Sequence, residues 1–301
     1  MKPTAAVLDE DAIGAPAWPL RLGRLAYSVL VTPSGAFGVA IVGLHLLLAL
    51  LAPMLARHDP IAQDPTAALQ APGQNHLLGT DQLGRDVLSR TLMGGREAIA
   101  ITGLSTLLAV IGGGVLGITI GFLGGRIDET AMWLIDACLA LPWLLFLLLA
   151  ASATDGSILV LIPLLGFFYG IPLARVARAA TLSVVAQDYI TAARARGHHP
   201  LAVVYRELLP NIRDVLLVEG AMRWSWMLLV FGALSFLGFG VAPPTPDWGA
   251  MIAEARGYLG IAPWAVLWPC LALSSLVIGI NLFGDALGKA LGIDRMLHTP
   301  V

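Results

Sequence analysis

Charge is scarce in this sequence. Asp, Glu, Lys and Arg make up 13% of its 301 residues, against about a quarter in soluble domains, too few to cover a globule with a polar shell. Cysteine is scarcer still. Cys138 and Cys270 are the only two, and both fall in long apolar runs where a thiol behaves as a small hydrophobe. Neither a disulfide framework nor a cysteine-rich metal site is implied. A basic excess is missing as well: eighteen Lys plus Arg face twenty Asp plus Glu, a formal charge of −2. That leaves no surface to neutralise a phosphate backbone and argues against nucleic acid as a partner. The first 35 residues have no apolar stretch of useful length and carry Asp9, Glu10 and Asp11, unlike a cleaved secretory signal or an arginine-rich transit peptide. The N-terminus is expected to stay.

What is abundant is apolar: 57% of the residues are hydrophobic, with a mean hydropathy of +0.79. Crossing about 30 Å of hydrocarbon takes roughly 20 residues of helix. Six runs of suitable length stand out, at about 36–56, 98–123, 131–153, 157–174, 215–241 and 263–284. In lipid the backbone must satisfy its own hydrogen bonds. The expected fold class is therefore all-α, a polytopic membrane protein with six transmembrane helices. Its transmembrane domain covers 36–287, between an N-terminal segment 1–35 and a tail 288–301. The basic residues set the direction. With the N-terminus in the cytoplasm, twelve of them fall inside, six of those between Arg175 and Arg213, and five outside. Both termini are expected on the cytoplasmic side.

Within the spans, Gly113, Gly117, Gly121 and Gly125 recur every fourth residue, which places them on one helix face where another backbone can come close. Pro142, Pro163, Pro172 and Pro269 lie inside or at the ends of spans and favour kinks. Charge inside a membrane is costly and usually paired. Glu219 and Arg223, four apart on one helix face, can pair with each other. They read as a structural pair, with lining of a pathway as the alternative. Asp136 lies five residues into the third span.

The segment 188–211 is the most informative. Asp188 suits an N-cap, Gly197 the left-handed residue that ends a helix, and Pro200 the start of a second helix, which is expected to stop before Pro210. Two short helices joined by a sharp turn result. Leu201, Val204 and Leu208 fall at helical spacing and give the second helix an apolar face to dock. On the opposite side of the spans, Arg57 to Glu97 carries both signs of charge, and Asp86 to Ile99 reads as an amphipathic helix lying at the interface. Arg85 and Asp86 are candidates for docking a partner there, with bracing of a pathway entrance as the alternative.

The 188–211 segment resembles the cytoplasmic coupling loop of ATP-binding-cassette importer permeases, whose pattern is Glu-Ala-Ala, three residues, Gly, nine residues, Ile, one residue, Leu-Pro. Thr191-Ala192-Ala193, Gly197 and Leu209-Pro210 hold those places, with Thr191 for the Glu and Glu207 for the Ile. Further segments are similar to the second permease subunit of dipeptide, oligopeptide and nickel importers: His76 to Arg90, Leu234 to Gly240, Pro243 to Met251, Ala262 to Trp264, and Asn281 to Asp285. Gly288 and Lys289 depart from an Arg-Asp common there, and Trp133 from an Arg.

The resemblance implies the type I importer fold. It also implies a second permease completing the pathway as a heterodimer, two cytoplasmic ATPases, and an extracytoplasmic solute-binding protein. The expected location is the cytoplasmic (inner) membrane of a prokaryote, in contact with the lipid bilayer. The coupling residues it implies are Tyr189, Thr191, Ala192, Ala193, Gly197, Leu201, Val204, Leu209 and Pro210, while Asp136, Asn281 and Asp285 match family positions and are expected to hold helix ends together. Peptides are the first expectation for cargo, then nickel or a metal chelate.

Little else points to chemistry. Gly284 to Ala290 is one residue short of a phosphate loop and lacks its Ser or Thr, so no cofactor is expected in this chain. ATP and Mg belong on the partner ATPases. The six histidines form no His-Glu-x-x-His pattern and His198–His199 reads as a loop pair, so no metal is expected. No nucleophile elbow supports catalysis, and an enzyme is not expected. Two other classes remain open at this point. A secondary transporter would carry internal repeats and its own ion site. A structural scaffold would have no use for the coupling loop.

Overall fold

The computed structural model describes residues 18–153 and 157–293. The acidic run at Asp9 to Asp11, and Lys2 and Arg295, lie outside the described residues. In chain order the helices are α1 (Trp18–Val31), α2 (Pro33–Leu55), α3 (Val87–Leu123), α4 (Gly125–Ala140), α5 (Trp143–Ser152), α6 (Ile158–Val185), α7 (Asp188–Ala195), α8 (Pro200–Val203), α9 (Leu209–Phe236), α10 (Trp248–Ala255) and α11 (Trp264–Ala290). No strand forms among the described residues, which agrees with an all-α fold; one isolated bridge joins Thr80 to Asp86. Among the described residues five helical runs are long and apolar enough to cross a membrane, and α4 with α5 makes a sixth when taken together.

Local chemistry sets the starts. Thr32 Oγ1 accepts from the Gly35 amide at 3.2 Å and Pro33 opens α2, a combination that satisfies one orphan donor and pre-sets φ for the first turn. Asp86 caps α3, accepting from Ser89 N at 2.8 Å and Ser89 Oγ at 2.7 Å. At 1.5 Å per residue, the 37 residues of α3 span about 55 Å, well beyond the hydrocarbon thickness. The expected interfacial helix over Asp86 to Ile99 is thus the opening of α3 itself. Gly94 and Gly95 do not break it because they sit against Asp247 and Trp248.

Further along, α3 lies on α6, the most extensive helix pair in the bundle. A Cβ at Gly113 or Gly117 would clash with the backbone of Gly170 or Ala174, and one at Gly121 would stand 2.9 Å from Thr181 Cβ. Gly125, expected in the same row, is outside it. It has φ +58° beyond the end of α3 and meets nothing within 4 Å, because Gly124 ends the helix and turns the chain.

The expected third span is bent. α4 and α5 meet at 72° across Leu141 and Pro142, where proline has no N–H to continue the ladder. Pro163, Pro172 and Pro269 stay inside α6 and α11. α6 runs eleven residues past the expected end at 174, whereas α9 ends at Phe236, short of 241. The main core is shared by α3, α5, α6, α9 and α11 through Ile101, Leu147, Leu165, Met227, Phe231 and Leu276. A second cluster holds Ile118, Leu173, Ile190, Val203, Leu208 and Ile212. Leu47, Leu50 and Met54 of α2 and Leu104, Leu107 and Ile111 of α3 are exposed, an apolar exterior that suits lipid rather than water.

Candidate functional site: a helical turn, a buried cap and a charged pair

The two ends of α3 carry two different structures. At one end the chain leaves α6, forms α7 and reverses at Gly197, whose φ of +74° is a conformation L side chains avoid. Gln187, not the expected Asp188, is the N-cap of α7, and the helix starts one position earlier, at Asp188. His199 Nδ1 then accepts from Leu201 N at 3.3 Å and starts α8.

The second helix does not stop before Pro210. A π-turn over Val204–Leu208 carries α8 into α9, with Leu209 N–H bonded to the Val204 carbonyl. The wider turn makes room for the proline ring, and the Asn211 side chain donates to the Glu207 carbonyl. This gives one helical run from Pro200 to Phe236.

One face of this turn is docked on its own chain: Ile190, Ala193, Val203 and Leu208 are buried in the second core cluster. The expected docking face of Leu201, Val204 and Leu208 is therefore rotated. Val203 faces in, Val204 is half-buried, and Leu201 is 61% and Tyr205 67% exposed. Tyr189, Thr191, Ala192 and Pro210 are exposed too, and Leu209 is half-buried. Asn211 Nδ2 donates to Tyr189 Oη at 3.2 Å, and Arg194 lies 4.6 Å above the Phe122 ring at the end of α3. Between α3 and the α8–α9 run lies an apolar groove of about 310 Å³, lined by Val115, Phe122, Leu201, Val204, Tyr205 and Leu209 among others.

At the other end of α3 the segment 56–86 folds over α10 and the start of α11 as a cap. Asp81 accepts from Leu83 N at 2.9 Å, Arg85 N at 3.0 Å and Arg85 Nε at 2.6 Å. Arg85 also pairs with Glu254, and Arg90 Nε stands 3.5 Å from the Asp81 carboxylate. Trp264 Nε1 donates to the Thr80 carbonyl at 3.0 Å and Trp248 Nε1 to that of Thr91 at 2.8 Å. Arg85 is 6% and Asp86 3% exposed. Neither presents its charge outward, so the docking expectation for these two side chains is corrected; both are committed to holding the cap. Asp247 caps α10, accepting from Gly249 N at 2.8 Å and from Ser235. Burial pushes its carboxyl up to about 6, against hydrogen bonds that pull it down.

Between the ends, Arg223 Nη2 donates to Glu219 Oε2 at 3.1 Å. Arg223 borders a concavity of about 220 Å³ lined also by Trp143, Phe168, Tyr169 and Trp226. Asp136 pairs with Arg175, and Asp128 with Arg178, linking α4 to α6. Asn281 Nδ2 donates to Ser225 Oγ at 2.7 Å, tying α11 to α9. Asp285 is exposed and makes no hydrogen bond or ion pair to another helix among the described residues, contrary to the expectation that it holds a helix end. The partners Glu254, Arg175 and Arg178 escaped sequence reasoning. Glu254 lies 169 positions from Arg85, and nothing local announces it.

The family of binding-protein-dependent transport system inner membrane components matches residues 113–292, from the glycine seam of α3 through the helical turn to the end of α11. The chain belongs to that family. It is similar to the di/tripeptide transport system permease of Pseudomonas aeruginosa, 39% identical over 81% of this chain and 82% of that protein. It is also similar to the glutathione transport system permease of Pectobacterium atrosepticum, 37% identical over 74% of each. The probable D,D-dipeptide transport system permease of Escherichia coli is 33% identical over 88% of this chain and 89% of its own. This permease is a membrane transport subunit of an ATP-binding-cassette importer and not an enzyme. Where it departs from the family pattern the surroundings are undemanding: Thr191, Trp133 and Lys289 are exposed, and Gly288 meets only Val218 at van der Waals distance.

Proposed function

We propose that this permease forms, with a second permease subunit, the pathway by which di- and oligopeptides enter across the cytoplasmic membrane. Two cytoplasmic ATPases, which hold the ATP and Mg, drive it, and an extracytoplasmic solute-binding protein delivers the cargo. Both termini and the α7–α8 turn face the cytoplasm, in keeping with the basic residues between Arg175 and Arg213. The observation that carries the reading is the turn itself. One face is buried on the bundle while Tyr189, Thr191, Leu201 and Tyr205 stand exposed, joined directly to the membrane-crossing α9. A nucleotide shifts a conformational equilibrium only through contacts that differ between states. An exposed helix pair seated on the spans supplies such a contact.

Peptide cargo is supported by the substrates for which the relatives are named, which span di/tripeptides, glutathione and D,D-dipeptides. The test is uptake of a labelled dipeptide by the reconstituted complex. Gly197→Val forces a β-branched residue to φ +74° and is expected to abolish ATP-driven uptake. Wild-type uptake by that variant would overturn the coupling assignment, and uptake without the ATPases would point to a secondary transporter.

A further inference from the structure

The mechanism above leaves one group of side chains unused. His58 lies just beyond α2, His76 in the cap segment, and Asp86 at the head of α3. One donor atom from each lies within 4.8 Å of the other two, and the imidazole centroids are 4.7 Å apart. Sequence spacing gives no hint of this, because the histidines are eighteen positions apart and the fold of the cap alone brings them together.

Hydrogen bonding orients both rings. His58 Nε2 is 2.9 Å from the Asn75 carbonyl, which can only accept, so that nitrogen carries the proton and Nδ1 is left with the lone pair. A ligating histidine is commonly fixed in this way, through its other nitrogen. His76 Nδ1 stands 3.0 Å from Asp86 Oδ1, close to the roughly 3.4 Å edge of a tetrahedron of ligands about 2.0–2.1 Å from zinc. Asp86 Oδ2 is held by Ser89 N and Oγ, and Ser89 Oγ accepts from the His58 amide at 3.3 Å. The carboxylate therefore sits on a rigid helix start. Asp86 is buried while His58 is exposed, so the cluster is backed by protein and open to solvent on one side.

We propose that His58, His76 and Asp86 form a binding site for a divalent transition-metal ion of the zinc class. The ion takes the place of the proton between His76 Nδ1 and Asp86 Oδ1, with the ring proton moving to Nε2. His58 Nδ1 supplies the third ligand and water the fourth. Two imidazoles with one carboxylate favour zinc, nickel or copper over magnesium or calcium. The bound ion ties the end of α2, the cap segment and the head of α3 at one point. It is a resident ion of the cap, separate from the cargo.

The test uses the assembled transporter, free of any polyhistidine tag and stripped with chelator, titrated with Zn²⁺ against a chromophoric chelator and with Co²⁺ by visible absorption. The wild type is expected to bind one equivalent more than His58→Ala/His76→Ala and to show a tetrahedral cobalt band. His58→Ala alone, at an exposed position, is expected to weaken binding about tenfold or more, and His198→Ala to leave it unchanged. Equal binding by the wild type and the double variant, or loss of binding in His198→Ala, overturns the proposal. Peptide uptake is not the readout, so failure here leaves the transport assignment standing.

Discussion

The cap and the helical turn sit at opposite ends of α3 and treat polar groups in opposite ways. At the cap end Asp81, Arg85, Asp86 and Asp247 are buried and partnered internally: Arg85 on Asp81 and Glu254, Asp86 on Ser89 and His76, Asp247 on Ser235 and the α10 amides. The turn leaves Tyr189, Thr191, Leu201 and Tyr205 facing outward beside an apolar groove. A region that completes itself is built for shape, while one that leaves large side chains exposed is built to be met. The same chemistry that makes Arg85 and Asp86 look like docking residues in the sequence serves here to lock a fold.

Substitutions separate the two regions by size of effect. The largest is expected in the cap: Arg85→Ala takes from Asp81 and Glu254 their nearest cation and leaves only the more distant Arg90, and breaking a buried pair costs about 3–5 kcal/mol. Yield of folded permease and its thermal midpoint should fall sharply, and undiminished stability would show the cap to be looser than described. Next is Gly117→Val, which forces α3 away from α6. Overpacking of this kind costs about 1–3 kcal/mol, read in the same melts.

A smaller effect is pH-dependent. The Asp247 carboxyl titrates near 6 in the folded chain, above its ordinary 3.8, so the folded state holds that proton more tightly than the unfolded one. The stability it contributes is complete below the ordinary value and is lost as pH rises through about 6. The wild type should lose thermal stability relative to Asp247→Asn between about pH 4 and pH 7, and parallel curves would refute the buried carboxyl. Smallest of all is the effect of Leu201→Ala or Tyr205→Ser on folding, within about 0.5 kcal/mol as for surface positions. On the proposed reading those same variants depress ATP-driven uptake, which sharpens the contrast: no loss of stability, but loss of coupling.

Much of this was legible in the residues, and what was not has physical causes. The close seam at Gly113, Gly117 and Gly121, the reversal at Gly197 and the bend at Pro142 are local, so spacing and backbone preference reveal them. The pairing of Glu219 with Arg223 is local too. Pro210 misleads because a proline normally ends a helix, and only the π-turn and Asn211 make it tolerable. Gly125 continues a repeat in the sequence after the helix itself has ended. The rotation of the docked face from Leu201 to Val203 follows from that same π-turn. Long-range pairs such as Arg85 with Glu254, and the meeting of His58 with His76, depend on how the cap segment folds back, for which no periodicity exists.

The unbroken length of α3 has a mechanical consequence. It runs from Val87 to Leu123 without an internal proline, a stiff rod of about 55 Å rooted in the cap and touching the turn through Phe122 and Arg194. Pivoted at the cap, a tilt of about 5° sweeps its far tip through about 5 Å, roughly one helical pitch. The rod works as a lever: small angular changes near its anchor become displacements the size of a side chain at its tip.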